Sequence, residues 1–129
     1  MSAVLLAAAL AAAQPAAPQP QWVSLGQDNV ARYQYDPASV RRDGDQVFFT
    51  IHSQALNPQG HPYAAFLARH RLDCRRGALI IVGITGYDAA GTAVFTRDSP
   101  EGQQTEIPMT AGSPQVRARD LLCPASAQQ

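Results

Sequence analysis

Runs of alternating apolar and polar residues, separated by turn-forming residues, recur along this chain and constrain its fold most. In Gln46–Ala55, the residues Val47, Phe49 and Ile51 lie two apart, so a strand here would turn all three toward a core. Asp43-Gly44, just before this run, is the dipeptide favoured by tight type I′ hairpins. Repetition of such a pattern predicts a mainly antiparallel β-sheet.

The same strand pattern continues through most of the chain. Ala78–Tyr87 begins with a continuous apolar run, which is typical of a central strand covered on both faces. In the long predicted strand Tyr63–Cys74, Arg69 and Arg71 share one parity, which indicates that their face is exposed to water. The remaining predicted strands are Trp22–Leu25, Ala31–Tyr35, Thr92–Arg97 and a short extended segment at Glu106–Thr110.

One segment after the first twenty residues has the features of a helix. In Ser113–Cys123, Ser113 can cap the first turn and Pro114 suits the first helical position. Pro124 would then stop the helix. Five to six strands followed by this helix predict an α+β fold, in which the C-terminal helix packs on one face of an antiparallel sheet.

The N-terminal residues are expected to lie outside this fold. Every residue from Ala3 to Ala13 is Ala, Val or Leu, a run too short to span a membrane but typical of a secretory signal. No Lys or Arg precedes the run, so either the signal is weak or its start lies upstream; an Ala-rich helix of a cytosolic domain is the other interpretation. We predict a signal peptide at 1–13 (to about residue 20 at most), a Pro/Gln/Ala-rich linker at 14–21, a domain at 22–123 and a disordered tail at 124–129.

Two cysteines, Cys74 and Cys123, give the most informative chemistry in the sequence. In an oxidising compartment two lone cysteines most simply pair, and their spacing is not the C-x-x-C of a redox pair. A disulfide between them would pin the helix to the sheet and contribute about 4 kcal/mol in the chain-entropy model. This pairing depends on export, which the predicted signal peptide implies, to the periplasm or the cell surface. No cysteine lies near the expected cleavage site for a lipid anchor.

Several short motifs occur in a recognisable order. They are Trp22-Val23-Ser24-Leu25, the segment YDPASVRRDGD at 35–45, Leu72-Asp73-Cys74, a Gly-Tyr-Asp at 86–88 and Leu121-Leu122-Cys123. Over residues 22–123 this order resembles the surface-adhesin protein E-like family of small exported bacterial domains. The resemblance implies a small antiparallel sheet with a helix on one face. It also implies a non-enzymatic function through protein–protein contact, like that of the family's namesake, a dimeric surface lipoprotein that binds host extracellular-matrix and plasma proteins.

Candidate metal and catalytic residues are few. His52 and His70 lie on neighbouring predicted strands, which leaves a metal or small-ligand site as a weaker hypothesis. The sequence has no H-x-H, H-E-x-x-H or Cys/His cluster, so these histidines are expected to face solvent or pack across strands. It also lacks a G-x-S-x-G elbow and a dinucleotide fingerprint. We therefore expect no enzyme activity, no metal and no cofactor.

A contact surface for a partner protein is the favoured hypothesis. Phe48, Arg69 and Arg71 are the candidate residues, since they belong on the sheet face opposite the helix and such residues dominate interface energetics. Ten Lys+Arg balance ten Asp+Glu, which argues against nucleic-acid binding. No stretch reaches the roughly 18–20 apolar residues that a membrane-spanning helix needs. The partner would be an extracellular or envelope protein. The alternative is a periplasmic housekeeping or enzyme-inhibitor domain without an adhesive role, and monomer and homodimer both stay open.

Overall fold

One antiparallel sheet dominates the fold of residues 21–124, the part of the chain that this computed structural model describes. A short 3-10 turn, Pro37–Ser39, and one helix accompany it. The predicted signal peptide, the linker up to residue 20 and the tail from residue 125 lie outside the described residues. The elements are β1 (Val23–Gln27), β2 (Ala31–Tyr35), β3 (Arg41–Asp43), β4 (Gln46–Ala55), β5 (Ala65–Asp73), β6 (Ala78–Tyr87), β7 (Ala93–Asp98), β8 (Thr105–Ile107) and α1 (Pro114–Leu122).

Six of the strands form a continuous path in the order β1-β2-β4-β5-β6-β7. The other two strands are short and pair with inner strands of this path. The strand β3 pairs with β4, as β2 does, and β8 pairs with β6, as β7 does. The α+β class with a C-terminal helix is confirmed. The strand count within residues 21–124 is eight, not five to six. The three-residue strand β3 is too short for sequence periodicity to resolve, and the three-residue strand β8 overlaps the short extended segment predicted at Glu106–Thr110.

The β3–β4 hairpin lies where the Asp43-Gly44 dipeptide predicts it, but its turn is of a different type. Asp43 pairs with Gln46, so Gly44 and Asp45 are the two central residues of the turn. Only Gly44 has a positive φ, of 59°. A type I′ turn needs positive φ at both central residues, so the predicted turn type is wrong while the hairpin itself is correct.

The core lies between one face of the sheet and α1. Val47, Phe49 and Ile51 are each at most 3% exposed, as the alternation in β4 predicts. Ala118 and Leu122, four residues apart on α1, complete the same buried cluster. Leu25, Leu72 and Leu79 from β1, β5 and β6 are fully buried there as well.

The helix begins and ends where the sequence indicates. The Oγ atom of Ser113 accepts a hydrogen bond from the backbone N–H of Val116 at 3.2 Å, and Pro114 is the first helical residue. The N–H of Cys123 donates to the carbonyl of Arg119, which closes the last turn. These caps satisfy backbone groups that a helix end otherwise leaves unpaired.

Three long-range links hold α1 to the sheet. Cys74 and Cys123 form a disulfide with their Cα atoms 5.5 Å apart, which confirms the predicted pairing. A guanidinium nitrogen of Arg42 donates to the carbonyl of Leu122 at 2.7 Å. Arg117 makes a similar bond to the carbonyl of Leu25 at 3.2 Å. The helix position is thus fixed covalently at its C-terminal end and by hydrogen bonds along its length.

Candidate functional site

The face of the sheet turned away from α1 carries the three predicted contact residues. Phe48 lies between the core residues Val47 and Phe49, so its side chain points to the opposite face. In the β4–β5 pair, Phe48 is directly opposite Arg71, and Arg69 is one pair further along that face. We call the patch formed by Arg41, Phe48, Arg69 and Arg71 the open face.

Arg41 is the member of the open face that the sequence interpretation missed. It is directly opposite Phe48 in the β3–β4 pair. Its guanidinium carbon lies 4.7 Å from the centroid of the Phe48 ring, a cation–π arrangement. The sequence did not indicate this pair, because a type I′ turn centred on Asp43-Gly44 would place Arg41 opposite Gln46. The observed turn is centred on Gly44 and Asp45, and this register brings Arg41 opposite Phe48.

Arg71 is held by neutral groups. Its two terminal nitrogens donate to the side-chain carbonyl oxygens of Gln46 and Gln104, both at 3.1 Å. Gln46 lies on β4, and Gln104 lies just before β8. Arg71 is half-buried. The guanidinium is therefore positioned without being neutralised, and the prediction that the arginines lie on a simply water-exposed face is wrong in detail.

Arg69, in contrast, is paired with a carboxylate. Its guanidinium forms an ion pair with Asp98 on β7 and donates to the Thr85 hydroxyl at 3.3 Å. Gly83 lies between them in the register, and a Cβ atom there would collide with both charged groups. The absence of a side chain at Gly83 thus lets the pair cross β6. The carboxylate of Asp98 is largely exposed, so the pair is solvent-screened.

A groove of about 580 Å³ lies beside this patch. Ser39, from the 3-10 turn, accepts a hydrogen bond from the backbone N–H of Thr50 at 3.1 Å, which fixes one wall. Arg41, Phe48 and Arg69 contribute to the lining. The open face therefore combines a concave apolar surface with positioned guanidinium groups, a combination suited to binding a polar peptide segment.

The two histidines do not form a site together. His70 is directly opposite Phe49, on the buried face, whereas His52 has the parity of Phe48 and lies on the opposite face of the sheet. The ring of His52 is 5.0 Å from that of Trp22. Among residues 21–124 there is no group of three or more His, Cys, Asp or Glu that could hold a metal ion. The hypothesis of a metal or ligand site built jointly from His52 and His70 is wrong, because the strand period separates them.

A comparison of the chain with known protein families agrees with the resemblance that the sequence motifs indicate. The family model described as surface-adhesin protein E matches residues 22–124. The chain belongs to the surface-adhesin protein E family. Membership in this adhesin family supports an adhesin-like, non-enzymatic function and an exported, cell-surface protein. It also indicates binding to host or extracellular proteins.

Two solved structures of Haemophilus influenzae protein E have a fold similar to that of this chain, each with a TM-score of 0.58 and 19% sequence identity. The first matches 91% of this chain and 93% of its own, and the second, crystal form II, matches 98% and 100%. A comparison with curated proteins gives no significant match. Within residues 21–124, α1 is too short and too polar to cross a membrane.

Proposed function

We propose that this chain is an exported adhesin-like domain that binds an extracellular or envelope protein through its open face. The observation that carries the proposal is the family match over residues 22–124. Geometry supports this choice of site, because Phe48 and three arginines occupy the side of the sheet that α1 leaves uncovered.

The open face suits protein binding for an energetic reason. Aromatic and Arg side chains supply most of the binding energy in protein interfaces. Ordering them on association costs conformational entropy, so side chains already held in place bind better. Phe48 is held under Arg41, and Arg71 is held by Gln46 and Gln104. The patch is therefore partly preorganised.

The proposal includes an export pathway. In this proposal residues 1–13 act as a signal peptide, 14–21 as a linker, 22–123 as the binding domain and 124–129 as a C-terminal tail. The buried disulfide between Cys74 and Cys123 supports export, because such bonds form and persist in oxidising compartments. Cell fractionation with N-terminal sequencing of the mature protein tests this part.

Binding to purified extracellular-matrix and plasma proteins tests the function. We expect saturable binding of the exported protein to at least one of them, weakened about thirtyfold or more by Phe48→Ala, since hot-spot truncations cost about 2 kcal/mol or more. Arg97→Gln is the matched control, because Arg97 is an exposed strand residue opposite Ile84, on the other face of the sheet. Absence of saturable binding to any matrix, plasma or envelope protein would overturn the proposal, and light scattering would show whether the active species is a homodimer.

A further inference from the structure

Two arginines of the open face carry charges that the described part of the chain does not neutralise. The ion pairs within residues 21–124 involve Arg69, Arg76 and Arg119. Arg71 is bonded only to side-chain amides, and Arg41 lies over an aromatic ring. Arginines at a half-buried surface ordinarily find carboxylates, because charge-assisted bidentate bonds are the strongest that they make.

The two charges flank one apolar ring. Arg41, Phe48 and Arg71 are aligned across the neighbouring strands β3, β4 and β5. Adjacent strands lie about 4.8 Å apart, so the backbones of Arg41 and Arg71 are about 10 Å apart with the phenyl ring between them. An extended peptide whose first and fifth residues face the surface spans about 13 Å, a distance that two long arginine side chains can match.

Each guanidinium keeps free hydrogen-bond donors. A guanidinium has five N–H groups, and Arg71 uses one on Gln46 and one on Gln104. The guanidinium of Arg41 makes no hydrogen bond within residues 21–124, and Arg41 is exposed. Both groups can therefore donate hydrogen bonds to a carboxylate without losing the contacts that position them.

We propose that Arg41, Phe48 and Arg71 bind a short acidic segment of the partner protein, in which two carboxylates flank an apolar side chain. The inference rests on the proposed function and adds the chemistry of the partner to it. The carboxylates pair with the two guanidiniums, and the apolar side chain packs against the part of the phenyl ring that Arg41 leaves uncovered.

A long polyanion fits this surface poorly. Glu106 lies in the same row, opposite Ile80, which is itself opposite Arg71. Asp98 lies in the next row, paired with Arg69. A sulfated glycan chain or a nucleic acid extending beyond Arg71 would meet these carboxylates, so the surface favours two discrete negative charges over a continuous run.

A defined peptide tests the inference. We expect the exported protein to bind a fluorescent peptide Glu-Ser-Phe-Ser-Glu at least about tenfold more tightly than the matched Gln-Ser-Phe-Ser-Gln peptide, a factor equivalent to one charge-assisted bond. Arg41→Gln and Arg71→Gln should each remove most of this difference, and Arg97→Gln should leave it unchanged. Higher salt should weaken binding of the Glu peptide more than binding of the Gln peptide, because the additional contacts are ionic.

Further variants separate a folding defect from a binding defect. Arg71→Lys keeps the charge and should retain part of the preference for the Glu peptide, and unfolding curves show whether each variant is folded. Equal binding of both peptides, no binding of either, or preference for heparin over the Glu peptide would overturn the inference. If the protein binds a matrix protein and Phe48→Ala weakens that binding while the peptides bind equally, the proposed function stands and only this inference fails.

Discussion

The imidazole of His70 stacks on the ring of Phe49, with centroids 5.5 Å apart and an interplanar angle of 21°. The two residues are directly opposite each other in the β4–β5 pair, on the buried face. The Nδ1 atom of His70 is 2.8 Å from the carbonyl oxygen of Ala68, to which Nδ1–H donates. Burial lowers the pKa of His70 to about 4, and the bond to Ala68 opposes this only in part.

The buried histidine should make the protein sensitive to acid. The folded-state pKa of about 4 lies below the ordinary value of 6.5, so His70 favours the folded state above pH 6.5 and this contribution disappears as the pH falls to 4. The loss reaches about 3 kcal/mol in the free energy of unfolding. His70→Phe keeps an aromatic ring without a titrating group, so denaturant unfolding between pH 7 and 4 should show a flatter pH dependence for this variant. Parallel curves for the two proteins would contradict the assignment.

Loss of the disulfide should release the helix before the sheet. Removing the link between Cys74 and Cys123, which are 49 residues apart, should lower the free energy of unfolding by about 2–4 kcal/mol. In the double variant Cys74→Ala/Cys123→Ala, hydrogen exchange should accelerate most in α1, while β4 to β6 stay protected at the centre of the sheet. Reductant added to this variant is the control and should have no effect. Uniform acceleration over all elements would show that the bond does not act locally.

Asp98 should compete with an acidic ligand. Asp98→Asn removes the carboxylate that neutralises Arg69 and adds a free cation to the open face. The unfolding free energy should change by less than about 1 kcal/mol, because the pair is largely exposed. Affinity for the Glu-Ser-Phe-Ser-Glu peptide should increase severalfold in fluorescence anisotropy. Asp120→Asn, which also removes an exposed paired carboxylate but on α1, should leave that affinity unchanged.

The strand pattern predicted much of this fold because burial on one face imposes a period of two. The bounds of β2, β4 and β6 agree with the sequence prediction, and the buried residues of β4 are the expected ones. The placement of Phe48 opposite the helix follows from the same period. The pairing of the two cysteines could also be predicted from the sequence, because the chain contains no others.

Other features depend on tertiary contacts that periodicity does not encode. The sequence pattern predicts a solvent-exposed charge at Arg71, yet its guanidinium donates a hydrogen bond to Gln104, 33 residues later in the chain. Arg69 is partnered by Asp98 only because β7 reaches across Gly83. His70 shares the parity of the buried Leu72, but a polar side chain at such a position does not by itself distinguish packing from exposure.

Arginine-selective footprinting tests the central claim most directly. The chain contains no lysine, and phenylglyoxal labelling followed by mass spectrometry reports on individual arginines. When a bound partner protein saturates the exported domain, Arg41 and Arg71 should become protected while Arg97, on the opposite face, stays reactive. Protection of Arg97 with Arg41 and Arg71 still reactive would contradict the account.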